Sequence, residues 1–358
     1  MSTPRRLLIL GASYGSLLGS KLLLAGHDVT LVCLPEEADL INSEGTRVRM
    51  PVNGEDTLVD IDSRTLPGRL SADVPTAVDP AGYDLVGLAM QEPQYRSPEV
   101  RELVDRIAEA RVPCMSIMNM PPLPFMARVP AVSVDGLRHC YTEPEVWDRV
   151  DPALLTLCSP DPQAFRPPGE QPNVLEVRLP TNFKAARFES DEHTKILRDL
   201  EASIDASRFE SDGRKLELPV KLRVHDSVLV PLAKWSMLLA GNYRCIGRTE
   251  MRSIREVVHD DIDASRAVYD WVLDVCRALG ASDDDLVPFE KYANAAERLE
   301  SPSSVARAVF GGAPAVERVD CLVQTIAAQH GMRSDVVDEV VALVDAKLAE
   351  NRQKVAVG

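Results

Sequence analysis

Apolar positions change their rhythm near residue 222. Upstream, residues 7–11 (Leu-Leu-Ile-Leu-Gly) form a short continuous apolar run ended by glycine, as in a strand buried on both faces of a parallel sheet. Residues 16–25 have helical spacing stopped by Gly26, and 28–33 predict a second strand, so the three make a βαβ unit. Strands are expected again at 84–89 and 114–118, with a helix at 97–110 whose Pro98 suits a first turn. Residues 120–180 hold many of the 26 prolines and predict antiparallel strands and loops. Residues 191–207 return to helical spacing, and 216–220 form a return strand or a connector. Downstream, 227–239, 262–279, 303–309, 315–330 and 336–348 all predict helices. The fold class is therefore α/β, a doubly wound sheet over 1–222 followed by an all-α domain over 223–358.

A length of 358 residues fits two domains, and 45% apolar with 27% charged residues is an ordinary globular composition. The formal charge of −15 repels phosphate backbones and anionic lipid, which argues against nucleic-acid and membrane partners. The first apolar run is broken before it forms a signal-peptide core, and no segment reaches the length of a spanning helix. Seven scattered cysteines without CxxC or CxxH spacing argue against a disulfide framework or a zinc site, and a reducing cytoplasm fits. The six histidines show no metal or triad spacing; His225-Asp226 and His259-Asp260-Asp261 are read as exposed helix-start residues, and no metal is assigned. Cys245 is read as a buried small thiol, not a nucleophile.

Where the first strand meets the first helix, the chain reads Gly11-Ala12-Ser13-Tyr14-Gly15-Ser16, with Gly19 one turn on. Glycine lets backbone turn tightly and approach a pyrophosphate, whose charge meets free N–H groups at a helix N-terminus. Against GxGxxG the loop is one residue short and puts Ser13 near the middle glycine, so these six residues are the expected dinucleotide cradle of a Rossmann-like domain. From Gly15 to Leu34 the sequence resembles the opening of the ketopantoate reductase family. The resemblance recurs at Leu88-Ala-Met-Gln91 and at Met115-Ser-Ile-Met-Asn-Met120, where it implies that Gln91 lies near the cofactor and Asn119 by nicotinamide and substrate; Met120 and Pro121 replace the family's small turn residues. In the helical half, 231–242 resembles the family helix in which a lysine is followed four and eight residues later by asparagines. Lys234 and Asn242 fit, and Leu238 replaces the first asparagine. Ser303-Ser304-Val305 and the segment through Glu317 to Asp320 resemble the family's serine segment and glutamate-led helix, with Asp320 competing with Glu317 for the carboxylate role. The match covers roughly 7–120 and 225–348 and fails across the proline-rich middle.

The resemblance implies a 6-phosphogluconate-dehydrogenase-like two-domain fold and a reductase in which NADP or NAD delivers hydride to a small 2-keto acid. Lys234 then protonates the nascent alkoxide, work that suits a charged amine with a tunable pKa. Asn242 and Glu317 join it as catalytic candidates, and Ser304, Asn119 and Leu238 as substrate-binding ones; capping is the structural alternative for Asn242 and Ser304. Leu238 in place of a polar side chain points to a substrate less hydroxylated than ketopantoate. Cofactor choice rests on Leu34, where NADP-using members carry arginine; Glu36 and Glu37 disfavour a 2′-phosphate while Arg47 and Arg49 counter them, so NAD and NADP stay open. The long apolar C-terminal helices make a homodimer the expected assembly. Two rivals remain: an opine-type dehydrogenase, which needs a His-Asp pair, and a nicotinamide-binding regulator without catalysis.

Overall fold

The computed structural model describes residues 3–357. Contacts divide the chain into a sheet unit, up to Met90 with 94–125 and 146–228, and a helical unit, 91–93 with 126–145 and Leu229 onward. Among the described residues no helix is long and apolar enough to cross a membrane.

In the sheet unit, β1 (Arg6–Leu10), α1 (Ala12–Leu24) and β2 (Asp28–Val32) form the expected βαβ unit. Gly26, at φ +85°, turns the chain out of α1 as a helix stop does. The sequence pattern missed α2 (Pro35–Glu44), β3 (Arg47–Met50), β4 (Val59–Asp62) and β5 (Leu70–Asp73). Then come β6 (Leu85–Leu88), α3 (Pro98–Ala110), β7 (Cys114–Ile117), the single turn α4 (Leu123–Met126), β8 (Leu155–Ser159), β9 (Gln163–Phe165), β10 (Val174–Leu179), β11 (Phe183–Ala186), α5 (Asp191–Ala206), β12 (Phe209–Ser211), β13 (Arg214–Leu216) and β14 (Leu222–His225). Eight strands form one sheet in the order β14-β11-β8-β7-β6-β1-β2-β5, parallel except for β11 against β8. The order reverses at β1, which has β2 on one side and β6 on the other. Such a switch leaves a crevice outside the carboxyl ends of the strands, where ligands bind in open α/β sheets. A second sheet, β4-β3-β10-β9, supplies the antiparallel pairing expected of the middle.

Lys21 is an unusual member of the core. Only 2% exposed on α1, its ammonium donates to the carbonyls of Leu218 (3.1 Å) and Pro219 (2.9 Å), and burial, with Lys221 nearby, lowers its pKa to about 7. Those carbonyls precede Val220, whose φ of +61° is costly for a β-branched residue. The clamp holds the connector that leads into β14.

Two boundaries differ from expectation. The sheet unit runs past 222 to 228, because β14 pairs in parallel with β11 at the sheet edge. Residues 126–145, assigned from sequence to the first domain, belong to the helical unit. There Gln329 exchanges two 2.9 Å hydrogen bonds with the Ser133 backbone, a long-range tie that periodicity does not carry. The unit is otherwise built from α6 (Lys234–Met237), α7 (Ile254–His259), α8 (Ile262–Ala278), α9 (Phe289–Ala296), α10 (Ser304–Phe310), α11 (Val319–Gln329) and α12 (Asp335–Val357). Its only described strand pairing is one isolated bridge, Ile246 to Met251. The all-α expectation holds there.

Candidate active site

A single residue, Gly11, separates β1 from α1, so Ala12, Ser13 and Tyr14 are the first turn of the helix and not loop. Gly11 is obligatory on two counts. Its φ is +101°, and a Cβ would stand 2.8 Å from the Ala89 carbonyl oxygen just past β6. No side chain caps α1 and no carboxylate lies in its first turn, leaving a thirteen-residue helix whose positive end suits an anion. These features fit a dinucleotide pyrophosphate. Tyr14 is anchored by its hydroxyl to the Pro162 carbonyl at 2.9 Å, and the Ser16 hydroxyl turns back to the Ala12 carbonyl.

Gly15 has a packing role that sequence reasoning did not give it. A Cβ there would meet Ile9 at 2.9 Å and Leu31 at 3.3 Å, so this glycine lets α1 lie close on β1 and β2. Asn119 is half-buried two residues past β7, in the same parallel set as β1 and β6. Gln91 is exposed three residues past β6. Leu34, 73% exposed, ends the β2 arm at the first residue before α2. Three of the four nearby charges are paired: Glu37 with Arg166, Arg47 with Asp60 at 2.8 Å, and Arg49 with Glu170 at 2.8 Å; Glu36 is exposed.

In the helical unit, the helix expected at 227–239 starts late, at Val230, and continues to Cys245 with three changes of pitch. A 3-10 turn leads into α6, which begins at half-buried Lys234. A wide π turn follows at Leu238–Asn242. On a regular α-helix, residues eight apart are offset by about 80°. A wide turn that absorbs about one residue reduces this offset to roughly 20–30° by the same helical arithmetic. Gly241 makes room for it: a Cβ would sit 1.9 Å from the Tyr292 hydroxyl, which donates to the Met237 carbonyl at 3.2 Å. Leu238 is 4% exposed at the start of this turn.

The other candidates gather around the end of the same helix. The Asn242 carbonyl accepts from the Ser303 hydroxyl at 2.6 Å, and the buried Tyr243 hydroxyl donates to the Glu317 carbonyl while accepting from the Val319 N–H at 3.0 Å. Burial holds that tyrosine's pKa well above its ordinary value. Capping of α10 belongs to Ser303, which accepts from the Ala306 N–H; Ser304 is exposed at the first helical position, and Asn242 makes no side-chain cap either. Glu317, 7% exposed, lies two residues before α11 and not within its first turn. Its competitor Asp320 is fully buried in a two-point pair with Arg318 (3.0 and 2.9 Å), and burial raises its carboxyl above the usual range. Asp320 is thus committed to structure. Tyr243, Gly241 and Tyr292 were missed by sequence reasoning, since only the aromatic–glycine spacing across 51 residues hints at their contact.

No family model matches the sequence, and no curated protein does. Solved structures do match over nearly the whole chain. A 2-dehydropantoate 2-reductase from Methylococcus capsulatus superposes with a TM-score of 0.65 at 15% identity, covering 97% of both chains. The fold is that of the ketopantoate reductases. A ketopantoate reductase from Ralstonia eutropha (TM-score 0.60, 16% identity, 97% of this chain and 99% of that one) and a D-mandelate dehydrogenase bound to NADH and anilino(oxo)acetate (0.63, 12%, 97% and 99%) agree with that placement. The ketopantoate reductase fold accounts for both parts of the chain, including the middle where sequence resemblance fails.

The His-Asp arrangements that an opine-type enzyme needs are differently employed. Asp226 pairs with Arg198 at 3.0 Å, Asp260 pairs with Arg252, and Asp261 caps α8. His259 closes α7 and contacts the Ala293 carbonyl at 3.1 Å; it is not a helix-start residue.

Proposed function

We propose that this protein is an NAD(P)H-dependent reductase of small 2-keto acids, with Lys234 as the general acid. The observation that carries the reading is the π turn at Leu238–Asn242, which narrows the angular offset expected between Lys234 and Asn242, on a helix of the ketopantoate reductase fold. Bound nicotinamide dinucleotide supplies hydride to the keto carbon. Gly11 and the first-turn N–H groups of Ala12, Ser13 and Tyr14 hold its pyrophosphate, Leu34 meets the ribose end, and Gln91 and Asn119 lie toward the nicotinamide. The Lys234 ammonium offers its proton to the oxygen that becomes the hydroxyl, and its charge stabilises the developing alkoxide. Asn242 orients the keto oxygen or a substituent through neutral hydrogen bonds; Ser304 and Glu317 serve a substrate carboxylate and hydroxyl respectively. Leu238 puts an apolar side chain between Lys234 and Asn242 on this helix, which favours an alkyl or aryl group on the keto acid. The reading includes a homodimer through the C-terminal helices and a reducing cytoplasmic setting.

The test is turnover on a panel of 2-keto acids, from ketopantoate to phenylglyoxylate, with NADH and NADPH in parallel. Activity on at least one, lost in Lys234→Ala while dinucleotide binding persists, is the expected result. Dinucleotide binding with no turnover on any keto acid or keto acid–amine mixture makes the protein a regulator instead.

A further inference from the structure

A second cluster of chemistry lies in the helical unit and plays no part in the proposed reduction. His139 and Cys140 end the short turn Val134–Cys140, and Cys321 and Thr325 lie one helical turn apart on α11. The Cys140 and Cys321 sulfurs are 3.4 Å apart, and His139 Nε2 lies 3.6 Å from the Cys140 sulfur. One ligand atom from each of the three residues falls within 4.8 Å of the others. Thr325 ties the group together: its hydroxyl donates to the Cys321 carbonyl at 2.8 Å and lies 3.3 Å from His139 Nε2 and 3.5 Å from the Cys140 sulfur.

We propose that His139, Cys140 and Cys321 form a binding site for one zinc ion, with the fourth position open to water. The two short distances, 3.4 Å between the sulfurs and 3.6 Å from sulfur to nitrogen, come within a few tenths of an ångström of those a tetrahedral zinc ion needs, and the third pair lies within 4.8 Å. Zinc–sulfur bonds of about 2.3 Å and a zinc–nitrogen bond of about 2.0–2.1 Å place tetrahedral sulfurs roughly 3.8 Å apart and sulfur and nitrogen roughly 3.5 Å apart. The ligand set is also soft enough to select zinc over magnesium or calcium, which prefer oxygen. Cys140 is buried, Cys321 half-buried and His139 exposed, so the site is anchored from within and reachable from solvent. Both sulfurs ligate as thiolates and His139 as the neutral imidazole, so metal affinity falls as pH is lowered. The metal then joins the 134–140 turn to α11. This is a site the cysteine spacing argued against, because its ligands are adjacent at 139 and 140 but 181 residues from the third. Neither of the usual close-spaced motifs can signal such an arrangement.

The decisive experiment titrates the reduced, chelator-treated protein with zinc against a chromophoric competitor, and in parallel with cobalt(II) as a spectroscopic stand-in. The expected result is one equivalent of metal per chain, a thiolate-to-cobalt charge-transfer band with intense tetrahedral d–d absorption, and a Tm that rises with zinc. Cys321→Ser and His139→Ala should each abolish stoichiometric binding, whereas Cys33→Ser, a half-buried thiol in the other unit, should leave it intact. His139 is exposed, so its variant keeps the test meaningful should Cys321→Ser fold poorly. Zinc binding no tighter in the parent than in the His139→Ala variant overturns the proposal. So does a lack of stoichiometric metal in a protein that instead forms a Cys140–Cys321 disulfide under mild peroxide, which would make the pair a redox element.

Discussion

The two helices that carry the proposed cofactor-holding and proton-donating residues, one in each unit, use opposite resources. Helix α1 is regular along its length and offers its end: no side chain caps the first turn that follows Gly11, and the glycine at 15 seats the body against the sheet. The helix over 230–245 offers its side, and does so by being irregular, since the π turn at Leu238–Asn242 realigns residues that a regular helix would separate. An end can be presented by local sequence alone. A side must be tuned against neighbours, here by Tyr292 entering the space that Gly241 leaves open.

The contrast is broken most directly at Lys234. Replacing it with alanine should lower kcat about 100- to 10,000-fold while dinucleotide affinity stays within a few fold; steady-state kinetics with fluorescence titration of the cofactor read both. Arginine should not restore the rate, because guanidinium surrenders its proton reluctantly.

Gly241→Ala probes the irregularity itself. Forcing Tyr292 aside should cost up to about 100-fold in kcat by misplacing Asn242 relative to Lys234. A second change, Tyr292→Phe, removes the atom that collides and should recover part of the loss. A double-mutant cycle in which the two effects simply add would show that the π turn does not depend on this contact.

At the other helix, Leu34→Arg should shift selectivity toward NADPH by about 1.5–3 kcal/mol through a charge-assisted phosphate contact, measured as the ratio of kcat/KM with the two cofactors. Gly15→Val should act on stability, lowering it by about 1–3 kcal/mol by overpacking Ile9 and Leu31. Denaturant unfolding reads that change, while the folded fraction keeps its cofactor affinity. A specific loss of cofactor binding at Gly15 would return it to the phosphate site.

The same contrast explains what could be read from the chain. β1, α1 and β2 were legible because β1 is an almost pure apolar run, Gly26 ends the helix and β2 is rich in Val, Thr and Leu, all signals a few residues long. The need for glycine at 11 was legible as a tight strand-to-helix turn, but the packing burden of Gly15 was invisible until Ile9 and Leu31 were placed beside it. In the helical unit Lys234 and Asn242 were chosen by family resemblance; nothing in the periodicity of 230–245 shows a change of pitch. Glu317 and Asp320 could not be separated by type, and only the buried ion pair of Asp320 with Arg318 distinguishes them. The migration of 126–145 into the helical unit was hidden for the same reason: the Ser133–Gln329 tie spans 196 residues.

The Lys21 clamp makes the stability of the sheet unit a function of proton activity. A lysine held near 7 in the fold and near 10.5 when unfolded releases its proton earlier in the native state. Between these values the unfolded chain binds more protons, so this group's contribution to stability rises with pH; below about 7 both states are charged and the full burial penalty remains. Subtracting the unfolding curve of Lys21→Met from that of the parent isolates the effect. The difference should climb from neutral pH toward pH 10, as if the protein carried a small internal titrant that favours alkaline conditions.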